Sequence, residues 1–362
     1  MERKGPADLL LFFITLILLA IGLIMVLSAS SYAALLTYDD ALFFFKRQCA
    51  FMALGFVFMF IMMNISPEFV KKLAVPALIA CIIMLVLVPF IGVEVNGSKR
   101  WLGTQSMRFA PAEIAKPVVI VFFAMWLSSL KKQHLQTVKG FFYTLIVLAI
   151  IPGLVVIEDL GTAIAIAGAL VCMMIAAEVP WRYLLCTMGM GLAGAAAMIA
   201  VKPYRLKRIT IWLDPFSDPL NSGFQAVQSL YAIGSGWLFG VGLGASRQKL
   251  LYLPERHTDF IFSIIAEELG FVGATFVILL FAMFIWRGFY IAVHLEDKFK
   301  SLTAFGLTAV IGIQAMINIG VAVGALPVTG ITLPFISYGG TSLSFMLATV
   351  GFLLNMSRYM KR

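Results

Sequence analysis

Between Leu253 and Gly273 the chain reads LPERHTDFIFSIIAEELGFVG, so Glu255, Arg256, His257 and Asp259 stand just before an apolar stretch that then holds Glu267 and Glu268. Four carboxylates within 14 positions are conspicuous in a chain with 18 acidic residues among 362. Such a cluster at the mouth of an apolar helix points to chemistry at a membrane surface rather than to solubility. Glu267 lies eight residues beyond Asp259, about 12 Å along a helix at ~1.5 Å per residue, and is rotated from it by about 80°. Both can therefore border one cavity. An acid deep in a membrane helix costs on the order of 2.5 to 3.5 kcal/mol on insertion scales, so it faces a bundle interior, a partner or water. The competing reading of Glu267 is a buried hydrogen bond between helices. His257 offers an alternative base, since histidine ordinarily titrates near neutrality; beside Arg256, a positioning or substrate-contact role is preferred.

A second constellation precedes it. Glu113 and Lys116, at i and i+3 just before Pro117, either neutralise each other or line the same cavity, where the lysine would meet a phosphate. The loop before them, Asn96-Gly97-Ser98-Lys99-Arg100-Trp101-Leu102-Gly103, adds two cations and an aromatic. Arg100 is suited to a diphosphate, and Trp101 to stacking on a sugar or to anchoring at the membrane interface. Near the C-terminus Ser337-Tyr338-Gly339-Gly340-Thr341-Ser342, preceded by Pro327 and Pro334, reads as a broken helical entrance. Its small residues either pack closely or leave room for a lipid tail. The glycines at 234, 236, 240, 242 and 244 match neither the dinucleotide nor the phosphate-loop spacing. They form a flexible turn or, alternatively, an anion nest.

The elements that must position these residues follow from composition. Hydrophobic residues make up 61% of the chain, charged residues 12%, and mean hydropathy is +0.98, which excludes an ordinary soluble domain. Windows of ~20 apolar residues, enough to cross a ~30 Å hydrocarbon core, place ten helices. They run from Leu9 to Ser28, Phe45 to Met63, Leu73 to Ile91, Ile114 to Leu130, Phe141 to Ile157, Leu160 to Ala177, Tyr183 to Val201, Phe260 to Trp286, Leu302 to Leu326 and Leu333 to Met356. The expected fold is an all-α polytopic membrane protein, one transmembrane domain over residues 1–362. The fifth and sixth spans are divided only by Glu158 and Asp159. The first span resembles a secretory signal in its charged start, but its apolar run exceeds the ~7 to 15 residues of a signal core and reads as an uncleaved helix.

Short loops rich in Lys and Arg stay inside. With the N-terminus inside, 14 of the 27 basic residues fall on the inner side, including Arg3, Lys4, Lys132 and Arg362. The short outer loops hold five: Lys46, Arg47, Lys99, Arg100 and Arg108. Both termini are thus expected to be cytoplasmic, and Asp259 faces outward. The large outer connection, residues 202–259 between the seventh and eighth helices, starts basic and aromatic. It then presents Phe224, Val227, Leu230 and Tyr231 at helical spacing, which predicts a helix lying in the interface or a lid packed on the bundle. The net charge of +9 suits anionic membrane lipids and anionic lipid substrates, and its dispersal argues against nucleic acid. The four cysteines lie in apolar spans without paired spacing, so neither disulfides nor a metal site is indicated.

In this order and spacing NGSKRWL, PAEIAK, EDLGTA, YLPERHTDFIFSIIAEELGFVG and LPVTGITLPFISYGGTSL resemble the SEDS family (shape, elongation, division and sporulation proteins). The resemblance runs nearly end to end, and Gln248-Lys249 and Asn96-Gly97 lean toward its division and sporulation branch. It implies a peptidoglycan glycosyltransferase in the bacterial cytoplasmic membrane, at the division or sporulation septum. That enzyme would polymerise lipid II on the outer face beside a class B penicillin-binding protein that crosslinks the nascent glycan strands. The family's essential aspartate falls on Asp259, its helix-eight glutamate on Glu267 and its loop tryptophan on Trp101. Displacing a lipid diphosphate from an anomeric carbon needs one carboxylate as base, not the carboxylate pair of a retaining hydrolase. Asp259 is therefore expected to act on the acceptor 4-hydroxyl. Lys116, Arg100 and a divalent cation (magnesium or manganese, the one cofactor left open) would steady the leaving diphosphate. The competing class is a lipid II flippase, which needs polar groups reachable from both sides. The residues singled out here cluster toward the outer half.

Overall fold

Apolar runs in a hydrocarbon layer must satisfy their own backbone hydrogen bonds, and helices do so within one segment. The computed structural model describes residues 5–95, 98–103, 108–131, 137–157, 159–201 and 203–361. The Asn96-Gly97 pair, Glu158, Lys202 and the inner-side residues Arg3, Lys4, Lys132 and Arg362 lie outside the described residues. Among the described residues twelve α-helices follow in chain order. They are α1 (Leu9–Tyr38), α2 (Phe43–Asn64), α3 (Pro67–Ile91), α4 (Pro111–Ser129), α5 (Val138–Val155), α6 (Leu160–Ala176), α7 (Trp181–Val201), α8 (Pro203–Leu213), α9 (Phe224–Ser235), α10 (Ile261–Val293), α11 (Lys298–Ala322) and α12 (Gly340–Ser357). Among the described residues nine helices are long and apolar enough to cross a membrane, and α6 is a shorter apolar helix of 17 residues.

The helices start where the sequence supplies caps. Asp8, Ser66, Asp159 and Asp297 each accept a backbone N–H of the first turn, and Pro67 and Pro111 occupy first-turn positions where a missing N–H has no cost. The deeply buried α11 packs against α4, α6 and α10, while α2 packs along α12. Both termini meet at one end of the bundle. Gly5 N–H donates to the Arg358 carbonyl at 2.8 Å, and Asp8 holds Arg287 at 2.7 Å. The residues with the chemistry gather at the other end.

Four expectations change. A three-stranded antiparallel sheet, β1 (Val93–Val95), β2 (Ser98–Gly103) and β3 (Arg108–Phe109), is the exception to an all-α fold. The last span begins at Gly340 rather than Leu333, because Pro334 and the left-handed Phe335 keep 333–339 out of the helix. The long connection carries two helices instead of one. The second, α9, buries Val227, Ser229 and Ala232 against the bundle, as a packed lid does. Finally, the eighth span is not a single rod: Gly270 (φ 68°, ψ −168°) breaks α10.

That break has a partner in the glycine-rich run. Val241 N–H donates to the Glu267 carbonyl at 3.0 Å, Gly242 N–H to Glu268 at 3.1 Å, and Phe271 N–H to the Trp237 carbonyl at 2.8 Å. Backbone lies against backbone, so a Cβ on Gly236, Gly240 or Gly270 would collide with main-chain atoms of the facing segment. The run is therefore a close-packed buttress rather than an anion nest. Gly240 and Gly270 also sit at positive φ, so Gly240→Ala is expected to cost about 1–3 kcal/mol from backbone strain alone. Thermal unfolding of the detergent-solubilised chain should show the loss, and an unchanged midpoint would refute the buttress.

Candidate active site

The turn that carries Asp259 is tied by hydrogen bonds to three other elements: α1, the segment 333–339 and α11. Arg256 donates Nε–H to the Ala29 carbonyl of α1 at 3.1 Å. Ser337 donates Oγ–H to the Thr258 carbonyl at 2.5 Å and accepts the Leu333 N–H at 2.8 Å. Tyr338 N–H reaches the His257 carbonyl at 2.8 Å, while Gln48 of α2 donates to the Ser337 carbonyl at 3.2 Å. From α11, the Asn318 amide donates to the carbonyls of Asp259 at 2.8 Å and Ile331 at 2.7 Å. Buried carbonyls need such donors, and here they fix the turn from every side. Glu255 adopts φ 51° within it and accepts the Thr258 hydroxyl at 2.7 Å.

Asp259 opens into a cavity of about 710 Å³ at the end of the bundle opposite the termini. Among the described residues the lining includes the arginines Arg47, Arg100, Arg108 and Arg208 and the carboxylates Glu113, Asp159, Glu255 and Asp259. β2 delivers Arg100 and Trp101 to it, and Arg100 lies 3.4 Å from Asp159. Asp159 is itself the cap of α6, accepting from the Thr162 N–H at 3.1 Å and hydroxyl at 3.0 Å. Gly330, at φ 79°, flanks the gap: a Cβ there would stand 3.5 Å from Arg100 Nη1 and 3.7 Å from Asp259 Oδ2.

Burial, then the nearby Glu255 charge, push the Asp259 carboxyl up to about 7, against the attraction of Arg100 and Arg208. A carboxylate poised there can take a proton near neutral pH and release it again. His257 goes the other way. Burial lowers it to about 4, its ring lies 4.7 Å from Phe44 and 5.6 Å from Tyr338, and among the described residues its Nδ1 has no hydrogen-bond partner. It is a neutral ring packed against aromatic side chains beside the turn.

The structure brings Asp259, Glu113, Arg100 and Trp101 to one cavity and places the other expected residues elsewhere. Lys116 is 4% exposed and points inward, 2.8 Å from Glu113 and 2.7 Å from the Gln314 side-chain oxygen, so it does not reach the cavity. Lys99 sits in β2 opposite Glu94 and does not line it. Glu267 accepts the Ser246 hydroxyl at 2.5 Å and the Arg247 N–H at 2.8 Å, clamping the returning loop. Its helix turns it away from Asp259, and the shared cavity expected for the two is not formed. Glu268 is paired with Lys249 at 3.1 Å and accepts Ser28 at 2.7 Å. Ser337 is a staple of the turn rather than an open entrance. The sequence reading missed Asp159, Glu255 and Arg208 as cavity residues. For Arg208 a signal existed in the i, i+3 spacing of Arg205 and Arg208, which puts both on one face of a short amphipathic helix. Among the described residues no three His, Cys, Asp or Glu side chains are grouped to hold a metal ion.

A bundle of membrane helices with a cavity lined by carboxylates and arginines at one end defines a multi-pass membrane protein with a charged site. Residues 8–362 match the FtsW/RodA/SpoVE family, described as Cell cycle protein, and the chain belongs to that family. Stage V sporulation protein E of Bacillus subtilis (strain 168) is 46% identical over 360 residues, spanning 99% of this chain and 98% of its own length. Probable peptidoglycan glycosyltransferase FtsW of Geobacter sp. (strain M18) is 39% identical, spanning 100% and 99%. Among solved structures, a chain from a peptidoglycan synthase complex that coordinates polymerization and crosslinking superposes with a TM-score of 0.80 at 31% identity, covering 97% of this chain and 98% of that one. Rod shape determining protein RodA of Thermus thermophilus gives 0.72 at 28% identity, covering 98% of each.

The geometry of Lys116 makes its contribution structural. Lys116→Ala should lower the unfolding midpoint, because losing one partner of a buried pair costs about 3–5 kcal/mol. Adding Glu113→Gln should restore part of it. A single variant as stable as the native chain would show that the ion pair holds nothing together.

Proposed function

We propose that this peptidoglycan glycosyltransferase polymerises lipid II into β-1,4 glycan strands on the outer face of the bacterial cytoplasmic membrane, releasing undecaprenyl diphosphate. The observation that carries the reading is Asp259, a half-buried carboxylate pushed up to about 7 in a cavity shared with arginines. In the reaction the Asp259 carboxylate takes the proton of the acceptor N-acetylglucosamine 4-hydroxyl as that oxygen attacks the anomeric carbon of the lipid-linked sugar. The new O4–C1 bond forms as the bond from C1 to the diphosphate oxygen breaks, and the electron pair leaves with the diphosphate. Attack opposite the leaving group inverts the anomeric centre. A diphosphate already leaves well, so a single base suffices.

Arg100, held by Asp159 on the cavity wall, supplies a planar pair of donors for the departing charge. Trp101 offers a face for a sugar ring. A divalent cation would add positive charge at the diphosphate beside Arg100. The partner is a class B penicillin-binding protein crosslinking the product strands, a reading supported by the structural neighbour drawn from a synthase complex. The setting is the division or sporulation septum, which the names of the relatives support.

Two measurements test this. Labelled lipid II, presented to the chain with its penicillin-binding protein and with crosslinking blocked, should yield long glycan strands, and Asp259→Asn should yield none. Strands of normal length and rate from the variant would remove Asp259 from the chemistry, whereas no polymer from a folded native complex that binds lipid II would favour a flippase. The second concerns pH. Because the folded carboxyl is raised to about 7, the base is protonated and inactive below that pH and ionised above it. Polymerisation should therefore rise with pH through about 7 and level off; a rate already at its plateau by pH 5 would contradict the assignment.

A further inference from the structure

The helix α8 has the composition of an interfacial strap. Its sequence PYRLKRITIWL alternates cations with apolar and aromatic residues, and it leaves Tyr204, Leu206 and Leu213 exposed. Three of its side chains reach back to the bundle. Arg205 donates to the carbonyls of Val156 at 2.7 Å and Ile157 at 3.2 Å, which the end of α5 leaves without helical partners. Trp212 Nε1–H donates to the Gly324 carbonyl at 2.9 Å, beyond the end of α11. Between these anchors Arg208 donates Nη1–H to the Val328 carbonyl at 3.0 Å and lines the cavity that holds Arg100, Asp159 and Asp259.

The surroundings of Arg208 are unusual for a half-buried arginine. Among the described residues it forms no ion pair, and its hydrogen-bond acceptor is a neutral carbonyl. Across the cavity the Arg100 charge opposes its own, while Asp259 and Asp159 attract it. Guanidinium does not escape this by losing its proton in proteins. Lys116 neutralises Glu113 from outside the cavity and Arg100 pairs with Asp159, so among the described residues the other lining charges are Arg47, Arg108 and Arg208 against Glu255 and Asp259, a positive balance for an anion that enters from outside. A diphosphate has the charge and the paired oxygens to accept the planar forks of Arg100 and Arg208.

We propose that Arg208 and Arg100 form a two-guanidinium clamp for the diphosphate of the lipid substrate, with α8 as the strap that sets Arg208 in place. The proposal rests on the glycosyl-transfer reading above and deepens it, because it names the group that takes up the charge Lys116 cannot reach. As a ligand of the departing group Arg208 should act on turnover as well as on binding. Arg208→Gln is expected to lower kcat/KM for lipid II polymerisation about 100-fold, the size seen when one donor to a developing anion is removed.

Binding separates the clamp from the reaction. The purified full chain in detergent, carrying Asp259→Asn to prevent turnover, is titrated with farnesyl diphosphate and with the neutral farnesol. Adding Arg208→Gln should weaken the diphosphate at least tenfold and leave the alcohol unchanged. Equal affinity for farnesyl diphosphate with and without Arg208 overturns the clamp, and so does equal weakening of both ligands, since a collapsed site loses both. If Arg208→Gln does not fold, Arg208→Lys, which keeps the charge without the fork, is compared in the same way, and only a loss confined to the diphosphate supports the proposal. A native chain that makes no polymer but binds farnesyl diphosphate through Arg208 would defeat the glycosyl-transfer reading and leave the anion site standing.

Discussion

The side-chain amide of Asn318 is the interaction on which the cavity depends. It donates one way to the carbonyl of Asp259 and the other way to the carbonyl of Ile331, so the two loops that form opposite walls are held by one rigid group on the central helix α11. A base works only if it is kept at a fixed distance from the proton it takes, and a loop residue achieves this only when its backbone is held. The other contacts to this turn, from Ala29, Ser337 and Tyr338, extend the same constraint to α1 and the entrance to α12, and Gln48 of α2 braces that entrance at the Ser337 carbonyl. The turn is a loop by conformation and part of the core by its bonding.

The charges divide into two populations for the same electrostatic reason. In a low-dielectric interior a charge is tolerated when it is paired and hydrogen-bonded. Asp8 with Arg287, Glu113 with Lys116 and Glu268 with Lys249 meet that condition within the protein. They join the N-terminal segment to α10, α4 to α11 through Gln314, and the returning loop to α10 and α1. Asp259 and Arg208 remain incompletely matched, and both face the cavity. Incomplete pairing at a solvent-reachable wall is the signature of a site prepared for a ligand. The same desolvation that would destabilise these groups in a closed core gives Asp259 a pKa near 7.

The broken helix α10 serves the same end. Asp259 stands in the turn before α10, and Glu267 and Glu268 lie in the first segment of that helix, ahead of the break. With Gly270 in a conformation that only glycine adopts without strain, the first segment can lie against the 236–242 backbone and direct both glutamates into the loop that returns to the site. Glu267 then fastens Ser246 and Arg247, a dozen residues before the turn that it helps to support.

Sequence alone determined the environment, the helical class and the carboxylate cluster that reaches the cavity through Asp259. Long apolar runs admit only helices in lipid, and acidic residues gathered at the mouth of one are conspicuous against that background. Arg100, Trp101 and Glu113 were legible for the same reason: polar residues at the end of an apolar span have few roles. What composition could not decide was which charges face one another. Glu113 and Lys116 look identical in sequence whether they neutralise each other or line a cavity, and only packing against Gln314 turned the lysine inward. Glu267 was judged as if the helix ran back through Asp259, but α10 begins only at Ile261 after a non-helical Phe260, so the rotation counted from Asp259 does not apply. Arg208 and Asp159 lie 49 positions apart in separate elements and converge because α8 folds back over the ends of α5 and α11. Local pattern sets which residues are costly to bury; the three-dimensional path of the chain decides which of them supply each other's counter-charge and which are left for a ligand.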